Sequence, residues 1–307
     1  MRLINMKKPK GNYDVRSLTE KIIFGVVAVV FSIYTVIIMY PLVFLLLKSL
    51  QDTRDYLGIT LPMDQTEMPI FYFKSGLAFE NYLKAFTEMK QQTPNGEVGL
   101  LGMFINSVWY TGTKLLLNVL MCTITGYVLS KYTFPGSNLF FGLAIFSMTI
   151  PVVGTTGSLY KLASDIGIYN TPLFVVCTSL GGFGFNFLVM HGVFKNMSWS
   201  YAEAVFLDGG GHCTAFFKIM MPQARASMTT LMILGFINYW NDYTSILMYI
   251  PSFPTLGSGL YVLDLVMRDQ RTIYFAGLVI MLVPVLTVFT VFSDVFMGNL
   301  SVGGLKG

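Results

Sequence analysis

Charged residues are scarce in this sequence of 307 residues, because Asp, Glu, Lys and Arg together make up only 12% of it. A soluble domain normally carries about 25% charged residues, and half that fraction cannot cover the surface of a globule of this size. Hydrophobic residues make up 54%. The composition therefore excludes an ordinary soluble enzyme, a disordered chain and a nucleic-acid-binding protein.

Motifs for metal binding, disulfides and catalysis are also missing. The three cysteines, Cys122, Cys177 and Cys213, stand far apart and form no CxxC or Cys/His cluster, so we expect neither a metal site nor a disulfide framework. The sequence has no GxxxxGK[ST] phosphate-binding loop and no HExxH, Ser/His or Asp/Asp arrangement of a membrane-embedded hydrolase. We therefore predict a chain without catalytic residues and without a bound cofactor of its own.

Long runs without charge are what the sequence has instead. Four stretches contain no charged residue, and two more contain one each, Lys114 and Asp242. Every stretch is long enough to cross the hydrocarbon core, which takes about 20 mostly apolar residues. The sequence therefore predicts an all-α, polytopic membrane protein with six transmembrane helices. These lie near residues 21–47, 101–130, 139–160, 172–194, 224–249 and 273–297.

The distribution of basic residues predicts the orientation. Lys and Arg collect on the cytoplasmic side of membrane proteins, and they are concentrated in the termini and in alternate loops here. Both termini are therefore predicted to be cytoplasmic, with tails at 1–21 and 298–307. Residues 22–100 comprise the first transmembrane helix and a long external loop. Residues 101–297 form a five-helix core that includes a cytoplasmic loop at 197–222.

The external loop between the first two spans contains one segment with helical spacing. The apolar residues between Ala78 and Met89 recur at intervals of three and four, which predicts a surface helix. A second external loop, at 250–274, carries Asp264 and Arg271 among other charged residues.

The cytoplasmic loop has the pattern of two helices joined by a glycine turn. Ser200 and Glu203 have the spacing of a capping box, so a helix is predicted to begin here. Asp208 is followed by three glycines, which permit positive φ angles and a sharp reversal of the chain. A second helix is predicted from His212 to Met221.

A rigid projection of this kind suits docking into a groove on a partner. The alternative is an amphipathic helix that lies on the bilayer surface, and such a helix carries a basic polar face. Glu203 and Asp208 are acidic, and no Lys or Arg lies between Trp199 and Phe217. The sequence therefore favours docking.

This loop resembles the EAA loop of binding-protein-dependent ABC importers, whose pattern is close to EAA-x-x-DGA followed by I-x-L-P. The matching residues are Glu203, Ala204, Val205, Asp208, Gly209, Phe216, Ile219 and Pro222. Val205 stands where the family has its second alanine, and Met221 stands where it has leucine.

Further motifs follow in the family's order, among them the Lys131-Tyr-Thr-Phe-Pro-Gly segment and Trp240-Asn-Asp-Tyr. Together they make the chain similar to the second permease subunit of carbohydrate importers of the maltose-transporter type.

The resemblance implies a type I ABC importer permease fold and a place in the bacterial or archaeal cytoplasmic membrane. It implies one half of a translocation pathway for an oligosaccharide or related sugar, working by alternating access. The implied partners are a homologous second permease in a heterodimer, two ATPase subunits that bind the ATP and Mg²⁺, and an extracytoplasmic solute-binding protein. By position, Glu203 would meet a basic group on the ATPase, and Gly209 would be the hinge. The alternative for Glu203 is a solvated capping residue.

Lys114 and Asp242 are candidates for the translocation path. Charges inside spans are costly and usually face a bundle interior or an aqueous cavity, so we expect these two to face each other or to line the path. Tyr239, Trp240 and Asn241 are expected nearby. The alternative is that each charge reaches the interface or pairs locally. An ion-coupled secondary transporter or channel subunit is the rival function, but such a protein has no use for an EAA loop.

Overall fold

The computed structural model describes residues 18–62, 72–149 and 154–302, and the side chains as far as residue 293. In chain order the elements are α1 (Leu18–Ser49), α2 (Thr53–Tyr56), α3 (Glu80–Glu88), β1 (Lys90–Thr93), β2 (Gly96–Gly99), α4 (Leu100–Lys131), α5 (Ser137–Thr149), α6 (Thr155–Asp165), α7 (Pro172–Ser179), α8 (Phe185–Asn196), α9 (Ser200–Leu207), α10 (His212–Thr214), a π-helical segment (Ala215–Met220), α11 (Met221–Gln223), α12 (Arg225–Trp240), α13 (Thr244–Tyr249), α14 (Leu256–Val266) and α15 (Arg271–Val302). Of the two predicted cytoplasmic tails, residues 1–17 and 303–307 lie outside the described residues.

Among the described residues, three helices are long and apolar enough to cross a membrane on their own, namely α1, α4 and the Arg271–Ser293 part of α15. They correspond to the first, second and sixth predicted spans. In α1 the most apolar window has no buried residue, so nearly the whole helix surface is open to lipid or to another subunit. A helix that is apolar on all sides is stable only where hydrocarbon or protein surrounds it.

The other three predicted spans are not single helices. The segment 139–160 is divided between α5 and α6, 172–194 between α7 and α8, and 224–249 between α12 and α13. The structure therefore does not confirm the prediction of six transmembrane helices for these three segments. A glycine explains the second break, because Gly184 has a φ of +128°, which residues with a side chain rarely adopt.

Helix α4 is the centre of the described fold, with α7, α8, α12 and α14 packed around it. It packs closely on α8 at Gly126, where an added Cβ atom would lie 2.9 Å from the backbone nitrogen of His191. A second contact joins α4 to the break in the fourth predicted span, since Thr125 Oγ1 donates to the carbonyl oxygen of Gly182 at 2.7 Å. Small and polar residues are the usual means of close helix packing in membranes.

The segment between α1 and α4 has more structure than the sequence predicted. The predicted surface helix is present as α3, but one face of it is buried, including Ala85. The strands β1 and β2 form an antiparallel hairpin in which Thr93 pairs with Gly96. The all-α prediction is therefore wrong at this point. The two residues between Thr93 and Gly96 are Pro94 and Asn95, both of which favour turns, and Gly96 adopts a φ of +116°.

Candidate coupling loop and translocation path

The first helix of the loop presents an exposed face that carries part of the EAA-like motif. Helix α9 begins at Ser200, as predicted, but the predicted capping box does not form, because Trp199 occupies the N-cap position and makes no side-chain cap. The Ser200 hydroxyl lies 2.7 Å from that of Ser198 instead. Glu203, Ala204 and Asp208 are exposed. Leu207 lies on the same side of α9 and is 89% exposed.

The glycine turn after α9 has the geometry that the sequence predicts. Gly209 adopts a φ of +78°, the left-handed conformation that ends many helices. The amide of Gly209 donates to the carbonyl of Phe206 at 3.0 Å, and the amide of Gly210 donates to Val205 at 2.8 Å. An added Cβ atom at Gly210 would lie 2.6 Å from Cγ1 of Val205. This position therefore requires glycine for space, whereas Gly209 requires it for conformation.

The second helix of the loop is less regular than predicted. The predicted His212–Met221 helix is present as α10, the π-helical segment and α11, and the helical backbone continues past Pro222 to Gln223. The sequence did not predict the π-helical segment, although such insertions are frequent at functional sites. Phe216 is buried and Ile219 is half-buried, while Pro222 is exposed.

Aromatic side chains fix the loop to the end of α4. Tyr132, the residue after α4, lies with its hydroxyl 2.9 Å from Nδ1 of His212. Its ring also packs edge-to-face on Trp199, with 5.5 Å between the ring centroids. Lys131 donates from Nζ to the carbonyl oxygen of Met197 at 2.5 Å. Both helices of the loop are therefore tied to the same end of α4.

A second layer of contacts lies deeper along α4. The ring of Tyr127 packs against Phe216 at 4.8 Å and against Phe194 at 5.3 Å. A cavity of about 390 Å³ opens beside these rings and is lined by apolar and aromatic residues of α4 and of the second loop helix.

Lys114 and Asp242 lie opposite each other in the structure. Nζ of Lys114 is 3.5 Å from Oδ2 of Asp242, and the side chains are 15% and 19% exposed. The same carboxylate oxygen accepts a 2.6 Å hydrogen bond from the hydroxyl of Tyr110, and Oδ1 accepts one from the amide of Ser245 at 3.0 Å. Asp242 therefore joins α4 to the break between α12 and α13.

Two aromatic rings also contact the ammonium group of Lys114. Its Nζ lies 4.9 Å from the centroid of Tyr110 and 5.4 Å from that of Tyr239, which are distances of cation–π contacts. Tyr110 stands four residues before Lys114 and shares its face of α4, so helical spacing was the signal that could have found it.

The other two residues grouped with the candidate path differ in their surroundings. Asn241 is exposed, and its Nδ2 donates to the carbonyl of Ile237 at 2.8 Å. Trp240 is 2% exposed and donates from Nε1 to the carbonyl of Met281 at 3.2 Å. The sequence neighbours Trp240 and Asn241 thus point in different directions, the first into the core and the second to the surface.

Metal ligands do not come together in the part of the chain that the structure describes, where no three His, Cys, Asp or Glu side chains could hold an ion.

Comparison with protein families decides the assignment. The model of the family described as "Binding-protein-dependent transport system inner membrane component" matches residues 11–301. The chain belongs to this family. Membership makes it a multi-pass membrane component of a transport system, in agreement with the long apolar helices.

Relatives within the permease family include two that the chain covers almost completely. It is 29% identical over 298 residues to the arabinooligosaccharides transport system permease protein AraQ of Halalkalibacterium halodurans, covering 94% of this chain and 99% of the relative. It is 26% identical over 279 residues to the diacetylchitobiose uptake system permease protein NgcG of Streptomyces coelicolor, covering 89% and 86%.

A solved structure of the same architecture is a chain from a bacterial ABC transporter involved in the import of the acidic polysaccharide alginate. The TM-score is 0.74 at 19% sequence identity, over 91% of this chain and 98% of that one. At this identity the match shows that the two chains share a fold.

Proposed function

We propose that the chain is the transmembrane permease subunit of an ATP-driven, binding-protein-dependent importer for a carbohydrate. Family membership supports the transport role, and the transport functions of the relatives support the substrate class. Besides the two proteins above, the chain is 28% identical over 211 residues to the maltodextrin transport system permease protein MdxG of Bacillus subtilis. The substrate is therefore proposed to be an oligosaccharide or a related sugar.

The proposed arrangement in the membrane has six crossings and both termini in the cytoplasm. Three crossings are α1, α4 and α15, and three are the interrupted pairs α5–α6, α7–α8 and α12–α13. Interrupted helices are tolerated at membrane depth where protein or a water-filled cavity surrounds the break. The proposed assembly pairs this chain with a homologous permease, two ATPase subunits that bind ATP and Mg²⁺, and an extracytoplasmic binding protein.

The observation that carries the coupling role is the exposed face of α9. A leucine that is 89% exposed, Leu207, stands one turn from the exposed carboxylate of Glu203. A partner groove that covers the leucine removes apolar surface from water, while a basic group of the partner pairs with Glu203. We propose that this groove lies on the ATPase subunit. Gly209 then acts as the hinge between the two helices of the loop.

Lys114 and Asp242 are proposed to belong to the wall of the translocation path. They are partly exposed and lie at the break in the fifth crossing, which is where irregular backbone lines cavities in transporters. In alternating access, movement of α4 against α12 would change the distance between the two charges.

The rival function, an ion-coupled secondary transporter or channel subunit, uses intramembrane carboxylates to carry ions. The carboxylate of Asp242 already accepts hydrogen bonds from Lys114, Tyr110 and the amide of Ser245 in this structure. The family match and the exposed α9 both favour the ATP-driven importer.

Co-purification and uptake test the proposal together. The tagged chain is extracted from membranes of its own host, and we expect one further permease and one ATPase to accompany it. The complex is then reconstituted with its binding protein, and ATP-dependent uptake of maltotriose, arabinotriose and diacetylchitobiose is measured. Uptake of one of these sugars is expected. A chain that purifies without an ATPase and takes up sugar along an ion gradient would establish the rival function.

A further inference from the structure

Helix α3 carries a row of large apolar side chains that the described part of the chain leaves uncovered. Leu83 is 74% exposed, Phe86 is 47% exposed, and Phe79, directly before the helix, is 64% exposed. Intervals of four and three residues place them in one row along the helix, which we call the α3 stripe. A contiguous apolar patch of this kind marks contact with a membrane or with another protein.

The other two sides of α3 have different surroundings. On one side, Asn81, Ala85 and the following Met89 are buried against the rest of the chain. On the other, Nζ of Lys84 lies 2.5 Å from Oε1 of Glu80, and both side chains are partly exposed. At 3.6 residues per turn, the buried side, the α3 stripe and the charged side each take about a third of the circumference. Such an order of surfaces fits a helix at the boundary of protein, lipid and water.

Contacts on the buried side hold α3 at the ends of two membrane helices. Nδ2 of Asn81 donates to the carbonyl oxygen of Ser49 at 2.8 Å, and the hydroxyls of Ser49 and Tyr82 are 2.7 Å apart. Ser49 is the last residue of α1. After the other end of α3, Met89 packs on the second turn of α15, since an added Cβ atom at Gly277 would lie 2.6 Å from its Sδ. Helix α3 therefore lies at the level where α1 ends and α15 begins.

The uncovered apolar surface of α1 leads to the α3 stripe. Leu46, in the last turn of α1, is 45% exposed. The amide of Ala78 donates to the carbonyl oxygen of Leu50 at 2.7 Å, which places the start of the stripe at Phe79 beside that turn. Because the chain is a membrane component and α1 is long and apolar enough to span the bilayer, this level is the edge of the hydrocarbon. Acyl chains that surround α1 can therefore also reach the α3 stripe.

We propose that α3 is an interfacial helix whose stripe, formed by Phe79, Leu83 and Phe86, inserts into the leaflet at the Ser49 end of α1. Acyl chains cover the stripe, while the charged side of α3 faces the headgroups and water. The inference goes beyond the proposed function, because it requires only that the chain is a membrane protein. Insertion also fixes the depth of the β1–β2 hairpin, which follows α3 directly and precedes α4.

Spin labelling in the reconstituted complex tests the insertion. Leu83→Cys and Phe86→Cys are introduced separately, with the exposed Cys177 and Cys213 replaced by serine, and each is labelled with a nitroxide methanethiosulfonate. Collision rates are measured with molecular oxygen, which concentrates among acyl chains, and with a water-soluble nickel chelate. We expect frequent collisions with oxygen and few with nickel at both positions. The signal of the same complex without the introduced cysteine is subtracted.

Glu88→Cys is the matched control, because Glu88 is exposed on the same helix but lies outside the stripe. Its label is expected to collide often with nickel, so that its ratio of oxygen to nickel collisions is lower than at Leu83→Cys and Phe86→Cys. A ratio at both stripe positions as low as at Glu88→Cys places the stripe in water and overturns the proposal. Protection of both stripe positions from both reagents shows that a protein, such as a second permease, covers the stripe, and this also overturns it.

A charge placed in the stripe gives an independent test. Leu83→Glu is added to the labelled Phe86→Cys chain, and Thr87→Glu, outside the stripe on the same helix, is the control. A carboxylate among acyl chains is costly, so Leu83→Glu is expected to raise nickel collisions at position 86, whereas Thr87→Glu leaves them unchanged. Equal collision rates in the two variants would show that Leu83 is not held in the membrane and would overturn the proposal.

Discussion

The hydroxyl of Tyr132 lies 2.9 Å from Nδ1 of His212, and this contact joins the end of α4 to the first residue of the second loop helix. Helix α4 also carries Lys114, which lies about 27 Å from Tyr132 along the helix at 1.5 Å per residue. There Lys114 contacts Asp242. One central helix therefore connects the exposed loop to the break in the fifth crossing. A displacement of the loop would therefore move Lys114, in the candidate path, through α4 alone.

The Tyr132 contact is predicted to matter for coupling more than for stability. Tyr132→Phe removes the hydrogen bonds of this hydroxyl to His212 and to the hydroxyl of Tyr127, a loss of about 0.5–1.5 kcal/mol for each. It is expected to retain most sugar import per ATP. Tyr132→Ala also removes the packing on Trp199 and is expected to lower that ratio while ATP hydrolysis continues. Uptake and hydrolysis are counted in the same proteoliposomes. An unchanged ratio in Tyr132→Ala would exclude this contact from the coupling route.

Lys114 and Asp242 are predicted to depend on each other. Lys114→Met leaves the Asp242 carboxylate without its cation at membrane depth, which is expected to destabilise the subunit by about 3–5 kcal/mol. Adding Asp242→Asn to that variant removes the unpaired charge and is expected to recover part of the loss. Thermal unfolding of the purified complex measures both effects. Independent, additive losses would show that the two side chains do not interact.

Asp55 is predicted to make the segment between α1 and α4 sensitive to acid. Burial raises its pKa, but hydrogen bonds from Thr60 and Ser75 and the charge of Lys74 outweigh burial, so the pKa lies below its ordinary value. The carboxylate accepts bonds of 2.6 Å from Thr60 Oγ1 and 2.7 Å from the Ser75 amide.

A lowered pKa gives stability that is fully present above the unfolded value, about 3.9, and that is lost as pH falls through the folded value. Limited proteolysis between residues 50 and 99 is therefore expected to accelerate below about pH 4 in the wild type. Asp55→Asn is expected to be cut faster at neutral pH and to show little further change on acidification. Identical pH profiles for the two proteins would contradict this role of Asp55.

Close packing of α4 on α8 is predicted to require glycine at one position only. Gly126→Ala forces a methyl group to within 2.9 Å of the His191 backbone nitrogen, and overpacking of this kind costs about 1–3 kcal/mol. Gly112→Ala, on the same helix, has no atom within 4 Å of the added Cβ and is the control. Thermal unfolding is expected to show a lower midpoint for Gly126→Ala than for Gly112→Ala. Equal midpoints would show that the contact is loose.

Charge and spacing in the sequence predicted the parts of the fold that depend on local sequence alone. The runs without charge located α1, α4 and α15, and the glycines after Asp208 located the turn of the loop. The approach of Lys114 to Asp242 was also expected, because each is a costly charge in an otherwise uncharged predicted span. Each of these features can be recognised from local composition or from the position of a single charged residue inside an apolar segment.

Interruptions of the other spans could not be predicted in the same way. No charged residue interrupts the segment 172–194, so it was predicted as one span, although α7 ends at Ser179. The break is stabilised by a contact from a distant residue, Thr125 of α4, which holds the Gly182 carbonyl. The ring of Tyr243, which follows α12, stacks on the ring of Tyr261 in α14 with 4.6 Å between the centroids, and this contact likewise depends on how α14 packs on α12. Contacts between distant segments leave no periodic signal in the sequence.

The hinge at Gly209 gives the most direct test of the central claim, that this permease subunit is driven through its loop. Gly209→Pro cannot adopt the observed φ of +78° and loses the amide that donates to Phe206. Gly211→Ala is the control, because Gly211 is in extended conformation with open space around it. Both variants are purified from membranes, and the ATPase retained per permease pair is measured. We predict that Gly209→Pro loses the ATPase with the permease pair intact, while Gly211→Ala keeps it. Retention of both the ATPase and uptake in Gly209→Pro would contradict the account.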